Sequence, residues 1–332
     1  MSSISGCASK RHSCAIKEWG IDMEEKEAKD KLASLPMNQA PCQESQENKA
    51  SSSQGMAKRS CGCGEDAKAK GTNAPQYVYA LGKIEPRFRS MAVEREFVQA
   101  TGRAETTGLT DQQAFYSVLS KKENRYLVRD LCWTLAIEGV AAYILLPKDP
   151  LDFDRLVESV KPQQDKAGID VVVGSKGPVA LPEMCAGLQV PIVGFDQLFS
   201  FNREEFIRSI PRPESIPEKQ EEKFRAAANE LFDRILQMAD NTGATDEHRA
   251  LNYLAVRYPA IYANAAEEFE RNFSLTGVEA RPSRLSGERK IVSVIFSYTN
   301  RETDVTEKFF VRVDVSEEFP FMVTKMAPYY DR

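Results

Sequence analysis

Two histidines occur among 332 residues, His12 and His248, and the second stands in the stretch TDEHRALNY, Thr245 to Tyr253. With Asp240 a short way upstream it has two residue types of a hydrolytic site, in which an aspartate orients the imidazole that takes a serine proton. That chemistry also needs a nucleophile. No Gly-x-Ser-x-Gly or Gly-Thr-Ser context accompanies the pair. Thr245 and Asp246 read instead as caps of a helix that carries His248 in its first turn, so the expected role is packing, surface exposure or a hydrogen bond.

Other residue types capable of chemistry lead to the same kind of reading. Glu94 and Glu96, Glu204 and Glu205, and Glu317 and Glu318 are paired acids, but acid and base roles need environments that separate two pKa values, and glutamates at helical spacing are ordinarily a solvated face. Cys61 and Cys63, with Cys42, Cys14 and His12, are residue types that could supply soft ligands for zinc. Structural zinc sites repeat a Cys pair two to four residues apart, and this spacing does not, so no metal or other cofactor is expected. Gly174-Ser175-Lys176-Gly177 lacks the phosphate-loop spacing and precedes Pro178; it reads as a turn.

The composition is that of a soluble globular protein, 42% hydrophobic and 28% charged. A net charge of -5 with lysines and arginines mixed among acids argues against nucleic-acid binding. There is no apolar run of membrane-spanning length and no secretory signal ahead of Gly20, so a cytoplasmic protein that does not span a membrane is expected. Five of the seven cysteines precede residue 64. Cys132 and Cys185 sit among apolar neighbours and read as small buried hydrophobes, with no disulfide framework expected.

The elements that must position these residues begin after residue 75. Residues 1–75 are rich in Ser, Gln, Lys and Gly and offer too little apolar area to offset chain entropy, so they read as a disordered tail with at most one short helix over 21–35. From Tyr77 a strand is expected, then a helix over 111–120 capped by Thr110. The runs 131–137 and 140–146, parted by Glu138-Gly139, suit a hairpin or one buried helix. A helix over 152–160 and strands over 169–173 and 190–195 follow. Ile210 to Pro217 holds three prolines and reads as a linker between subdomains 76–210 and 218–332. Phe224, Ala227, Ala228, Leu231, Phe232 and Ile235 recur at helical steps over 218–240. A second helix over 246–273, bent at Tyr258-Pro259, precedes a hairpin over 291–315 whose strands alternate apolar and polar residues. The fold class is α+β, with two subdomains of short, partly antiparallel sheets and packed helices.

Several stretches carry a family resemblance: "YVYALGKIEPRF", "VEREFVQATGRAETTGLTDQQAFYSVLSKKENRYLVRDLCWTLAIEG", "VPIVGFDQLFSF", "TDEHRALNYLAVRYPAIY", "GERKIVSVIFSYTNRETDVTEKFFVRVDV" and "FPFMVTKMAPYYDR". Over residues 76–332 the chain resembles the C-terminal region, of unknown function, of the cyanobactin maturation proteases of PatA and PatG type. In that family the region follows a subtilisin-like serine protease domain that cleaves or macrocyclises a ribosomal precursor peptide. Residues 1–75 hold no Asp-Thr/Ser-Gly, His-Gly-Thr or Gly-Thr-Ser motif, so no catalytic triad carries over, and the chain reads as a detached C-terminal region.

The resemblance implies a non-catalytic accessory domain of cyanobactin-type peptide biosynthesis, with the precursor peptide, a maturation protease or a second copy as partner. Alternative readings are a component of a subtilisin-like protease whose catalytic domain is lost or encoded separately, and a zinc-binding module. For contact with a partner the residues point to the edge of the hairpin over 291–315, as in strand addition, and to Arg249, Arg257, Tyr298 and Phe309. The aromatics at helical spacing, Tyr253, Tyr258 and Tyr262, are expected mainly in the core.

Overall fold

A computed structural model describes residues 75–103, 109–162, 168–213, 217, 220–238, 240–284 and 287–330. Cys42, Cys61 and Cys63, and the short helix expected over 21–35, lie outside the described residues. The fold is α+β, with eight α-helices and two sheets among the described residues.

The first sheet is a closed five-stranded barrel in the order β1-β2-β3-β5-β4. Its strands are β1 (Gln76–Phe88), β2 (Leu131–Ile137), β3 (Val140–Pro147), β4 (Gly168–Val179) and β5 (Pro191–Asn202). Every pairing is antiparallel except β3 with β5. That order with its one parallel pair is the topology of a Greek-key barrel of oligonucleotide/oligosaccharide-binding type. Glu138 and Gly139 both have positive φ, 51° and 79°, so 131–147 forms the hairpin and not the buried helix, because the primed turn they make matches strand twist.

Helices α1 (Met91–Arg103), α2 (Asp111–Leu119) and α3 (Arg125–Asp130) lie between β1 and β2, and α4 (Asp152–Ser159) between β3 and β4. Thr110 caps α2 through a reciprocal capping box with Gln113. Trp133, Leu135, Leu145 and Phe195 fill the barrel interior and meet Leu127, Val128 and Leu156 of the covering helices.

Two expectations fail in the barrel. Gly174 to Gly177 is not a turn: β4 continues through it between two register shifts against β5, Ser175 and Lys176 pairing with Tyr77 and Gln76 on one side and with Gly194 and Val193 on the other. A Cβ on Gly174 would stand 2.3 Å from the Gly194 oxygen, so glycine here admits a neighbouring strand. Cys132 and Cys185, buried as expected, are joined by a disulfide with their Cα atoms 5.6 Å apart. This bond fixes the segment after β4 across the outer face of the barrel, where Ala180, Met184, Leu188 and Val190 pack with Ile144 and Ile192. In barrels of this topology the β2–β3 face commonly takes the ligand; here the chain's own segment lies on it.

After α5 (Arg203–Ser209) come α6 (Glu221–Leu236), α7 (Asp246–Arg257) and α8 (Ala260–Glu270). The long helix expected over 246–273 is thus two, broken where Pro259 cannot continue the hydrogen-bond ladder. The second sheet is β6 (Phe273–Pro282), β7 (Ile291–Asn300), β8 (Thr306–Asp314) and β9 (Phe321–Pro328), paired antiparallel in that order. Val292, Val294, Phe296, Tyr298, Val311 and Val313 turn one face of it onto Phe224, Leu231, Phe232, Leu251, Leu254 and Ile261.

The expected hairpin exists, but its edges are not free. β7 is paired with β6 and β8 with β9, so the hairpin is the centre of the sheet, and the edge proposed for it passes to strands with weaker sequence patterns. Tyr79, Leu81, Val171 and Val173 on the outer face of the barrel pack with Leu236, Tyr253 and Val256, joining the two sheets through α6 and α7. Among the described residues no helix is long and apolar enough to cross a membrane.

Candidate functional site

His248 sits in the first turn of α7, where its backbone N–H donates to Oγ1 of the cap Thr245 at 3.2 Å. Burial pulls its imidazole below the ordinary histidine range, against the charges of Glu247 and Asp240. Its buried Nδ1 has no hydrogen-bond partner, so no carboxylate orients the ring as a triad requires. The Asn241-Thr242-Gly243 stretch beside it docks on the barrel instead. Tyr79 N–H donates to Gly243 O at 2.9 Å, Tyr143 Oη to Thr242 O at 3.0 Å, and a Cβ on Gly243 (φ 73°) would collide with Tyr79 O at 2.3 Å.

The next residue of α7, Arg249, is 2% exposed, and a buried side chain cannot be the partner contact its sequence position suggested. It holds a loop. Nη1 donates to Val315 O at 2.7 Å, and Nη2 to Glu318 O at 3.1 Å and to Glu317 O. The guanidinium also lies 5.3 Å over the ring of Tyr77. One planar cation therefore joins α7, β1 and the turn that leads into β9, a task suited to a rigid fork of donors.

Glu317 and Glu318 do not act as a pair. Glu318 faces Asp196 of β5, with Lys148, just past β3, hydrogen-bonded to Asp196 and 3.9 Å from Glu318 Oε1. Burial, then the hydrogen bond and charge of Asp196, push the Glu318 carboxyl up to about 7, with Lys148 and Arg249 opposing. Burial also works against ionisation of Asp196, yet its bonds to Glu318 and Lys148 hold it below the usual carboxylate range. Glu318 Oε1 is buried without a donor, a setting that disfavours its ionised form beside a second carboxyl. The two carboxyls titrate as a pair, and Lys148 between them ties the β8–β9 turn to the barrel.

What this anchored turn presents is β9. The strand has a strand neighbour on one side only, β8. Met322 and Met326 pack inward on the core, and Met326 N–H donates to Tyr258 Oη at 3.1 Å. Phe321 and Val323 are 49% and 37% exposed, and Phe319 in the preceding turn is 46% exposed. The opposite edge strand, β6, has no large exposed apolar residue. A sheet edge with exposed apolar residues at one end is a feature that can accept another strand, although Lys325 and Pro328 occupy its other half.

The remaining contact candidates do not converge on it. Tyr298 is 1% exposed, in the core, with Phe309 edge-on at 6.1 Å, so Tyr298, like Arg249, is withdrawn from the surface. Arg257 is exposed on the barrel side of α7, its guanidinium 4.9 Å over Phe199. Tyr262 is fully buried, its hydroxyl donating to Ala255 O at 2.6 Å, and Tyr253 meets Tyr79 edge-on, the core role expected of them. The sequence reading missed Lys148, Asp196, Phe319, Phe321 and Val323; the alternation of FMVTKM was the one available signal. Among the described residues no three of His, Cys, Asp or Glu are placed to hold a metal ion.

Comparison with known proteins adds family information. Residues 77–180 match the model described as PatG Domain, and residues 218–329 the model described as PatG C-terminal. A solved structure entitled "PatG Domain of Unknown Function" superposes with a TM-score of 0.64 over 76% of this chain and 98% of its own, at 19% identity. That identity supports a shared fold. A search of curated proteins finds no match.

Proposed function

From the premise that the chain belongs to the PatG-type family of cyanobactin maturation proteins, carrying both its PatG and PatG C-terminal domains, we propose a non-catalytic binding module of ribosomal cyclic-peptide biosynthesis. The module takes an extended segment of the precursor peptide as an added strand on β9. The observation that carries this reading is the edge of β9, with Phe321 and Val323 exposed and the preceding turn fixed by Arg249. Backbone hydrogen bonds would supply affinity that tolerates varied peptide sequence, while the exposed side chains select an apolar partner strand. Such a module works in the cytoplasm, where ribosomal precursors are made.

Titration calorimetry of the full chain with a cyanobactin-type precursor peptide tests it, with a separately expressed subtilisin-like maturation protease and the chain alone in parallel. Saturable precursor binding, at least tenfold weaker in Val323→Lys, is expected, because Val323 is one of the exposed apolar side chains that the added strand would cover. Binding to the protease alone would make the chain a scaffold. Self-association through the same edge would make it a dimer, and either result would sink the peptide-binding reading.

A further inference from the structure

A second feature lies away from β9, at the place where β1 changes partner. β1 pairs with β4 as far as Gly82 and with β2 from Lys83 onward, so the barrel forks there. Asp170 bridges the fork by accepting Ile84 N–H at 2.7 Å. Between the fork, the β2–β3 turn and the C-terminal end of α6 lies a cavity of about 400 Å³. Leu81, Ile137, Ile169 and Leu236 wall it, and Lys83, Glu138 and Gln237, all exposed, stand among its lining residues.

The volume is in the range of sites for small ligands, and apolar walls with a few polar groups are the usual composition of such sites. The polar groups do not share one sign. Lys83 donates, Glu138 accepts and Gln237 does both, while the carboxylate of Asp233, also at the cavity, is engaged by Arg203 at 2.7 Å. Phosphates and nucleotides need concentrated positive charge or a cluster of N–H donors, which this lining lacks. A peptide backbone, by contrast, offers alternating N–H and C=O groups that suit a mixed lining.

We propose that this cavity binds one bulky apolar side chain of a peptide, with the flanking backbone amides meeting Lys83, Glu138 and Gln237. The proposal rests on the peptide-binding reading above and adds a side-chain pocket remote from the β9 edge. It gives the module a preference for peptides carrying an aromatic or branched aliphatic residue, where the edge strand reads backbone.

The test is methyl-detected NMR of the full chain titrated with N-acetyl-phenylalanine amide, with N-acetyl-glycine amide as control. Saturable shifts of the Leu81, Ile137, Ile169 and Leu236 methyls with the phenylalanine compound, and none with the glycine compound, are expected. Leu236→Trp and Ile137→Trp each fill the cavity from a different wall and should weaken binding at least tenfold in whichever variant keeps the native spectrum. Absence of shifts in the unmodified chain, equal shifts with both compounds, or undiminished affinity in a folded filled variant would overturn the pocket. Val323→Lys should leave these shifts intact. Precursor binding at β9 without cavity shifts removes the pocket alone, and cavity shifts without binding at β9 remove the edge-strand reading alone.

Discussion

Arg249 Nη1 donates to the carbonyl oxygen of Val315 at 2.7 Å, and through this bond a helix that packs on the barrel determines where the outermost strand of the other sheet begins. The same guanidinium also serves the carbonyls of Glu317 and Glu318. β9 is thus held from its N-terminal end by a buried cation that is ion-paired with half-buried Asp246, Oδ1 standing 3.6 Å from Nη1.

Arg249→Met should therefore destabilise the chain by on the order of 3 kcal/mol, since three carbonyls lose charge-assisted donors at once. Chemical denaturation measures the loss. Hydrogen exchange should quicken first in β9 amides, and Arg249→Lys should recover only a minor part because an ammonium lacks the planar fork.

Asn252 is fully buried and donates from Nδ2 to Tyr79 O at 2.8 Å, while Asn241 Nδ2 donates to Asn252 Oδ1 at 2.7 Å. Asn252→Ala leaves the Tyr79 carbonyl and Asn241 Oδ1 without the amide that donates to them, a cost of about 2–3 kcal/mol. Paired with Asn241→Ala it should be clearly less than additive in denaturation, because both changes break one network.

Burial and the neighbouring Asp196 raise the Glu318 carboxyl to about 7 in the folded chain, so its protonated form favours the fold at low pH. That contribution is complete below the ordinary glutamate range and is lost as pH rises through about 7. Asp170, pushed up to about 6 by burial against its bonds to Ser200 and Ile84, acts with the same sign. Melting temperature should accordingly fall between pH 5 and pH 8. Glu318→Gln keeps a donor toward Asp196 and should flatten the slope, leaving the parts due to Asp170 and Glu268, which the lowered His248 opposes; an unchanged slope would show that the Glu318 carboxyl is not raised.

The Cys132–Cys185 bond closes a sequence separation of 53 residues. Its removal should lower stability by roughly 2–4 kcal/mol. Cys132→Ala/Cys185→Ala and treatment with a phosphine reductant should give the same shift in melting temperature. New proteolytic cleavage should appear between Leu181 and Gly187, the segment that the bond holds on the barrel.

Where the sequence reading succeeded, the determining physics was local. Thr110 and Thr245 cap helices because their hydroxyls reach N–H groups three residues on. Glu138-Gly139 turns a hairpin, the period of Phe224 to Ile235 gives one helix face, and Pro259 divides two helices. β6 was missed because its burial does not alternate, β9 because its alternation is short and no residue of it is fully buried, and β4 was cut short because Gly174 and Gly177 resemble a turn, although at Gly174 a neighbouring strand approaches too closely for any Cβ.

Family membership, too, could be read from the chain alone, since it lies in the residues themselves. The composition of the site could not. Arg249 and Tyr298 looked like surface contacts because helix and strand periodicity shows which residues share a face but not what covers that face. Glu318 looked like half of a Glu317–Glu318 pair, whereas the carboxyl that raises it is Asp196, a residue more than a hundred positions away that only the docking of the second sheet on the barrel brings near. The free edge likewise passed from the strongly patterned hairpin to β9, because which strand lies outermost depends on the pairing of all four, a global property to which no single segment's pattern is sensitive.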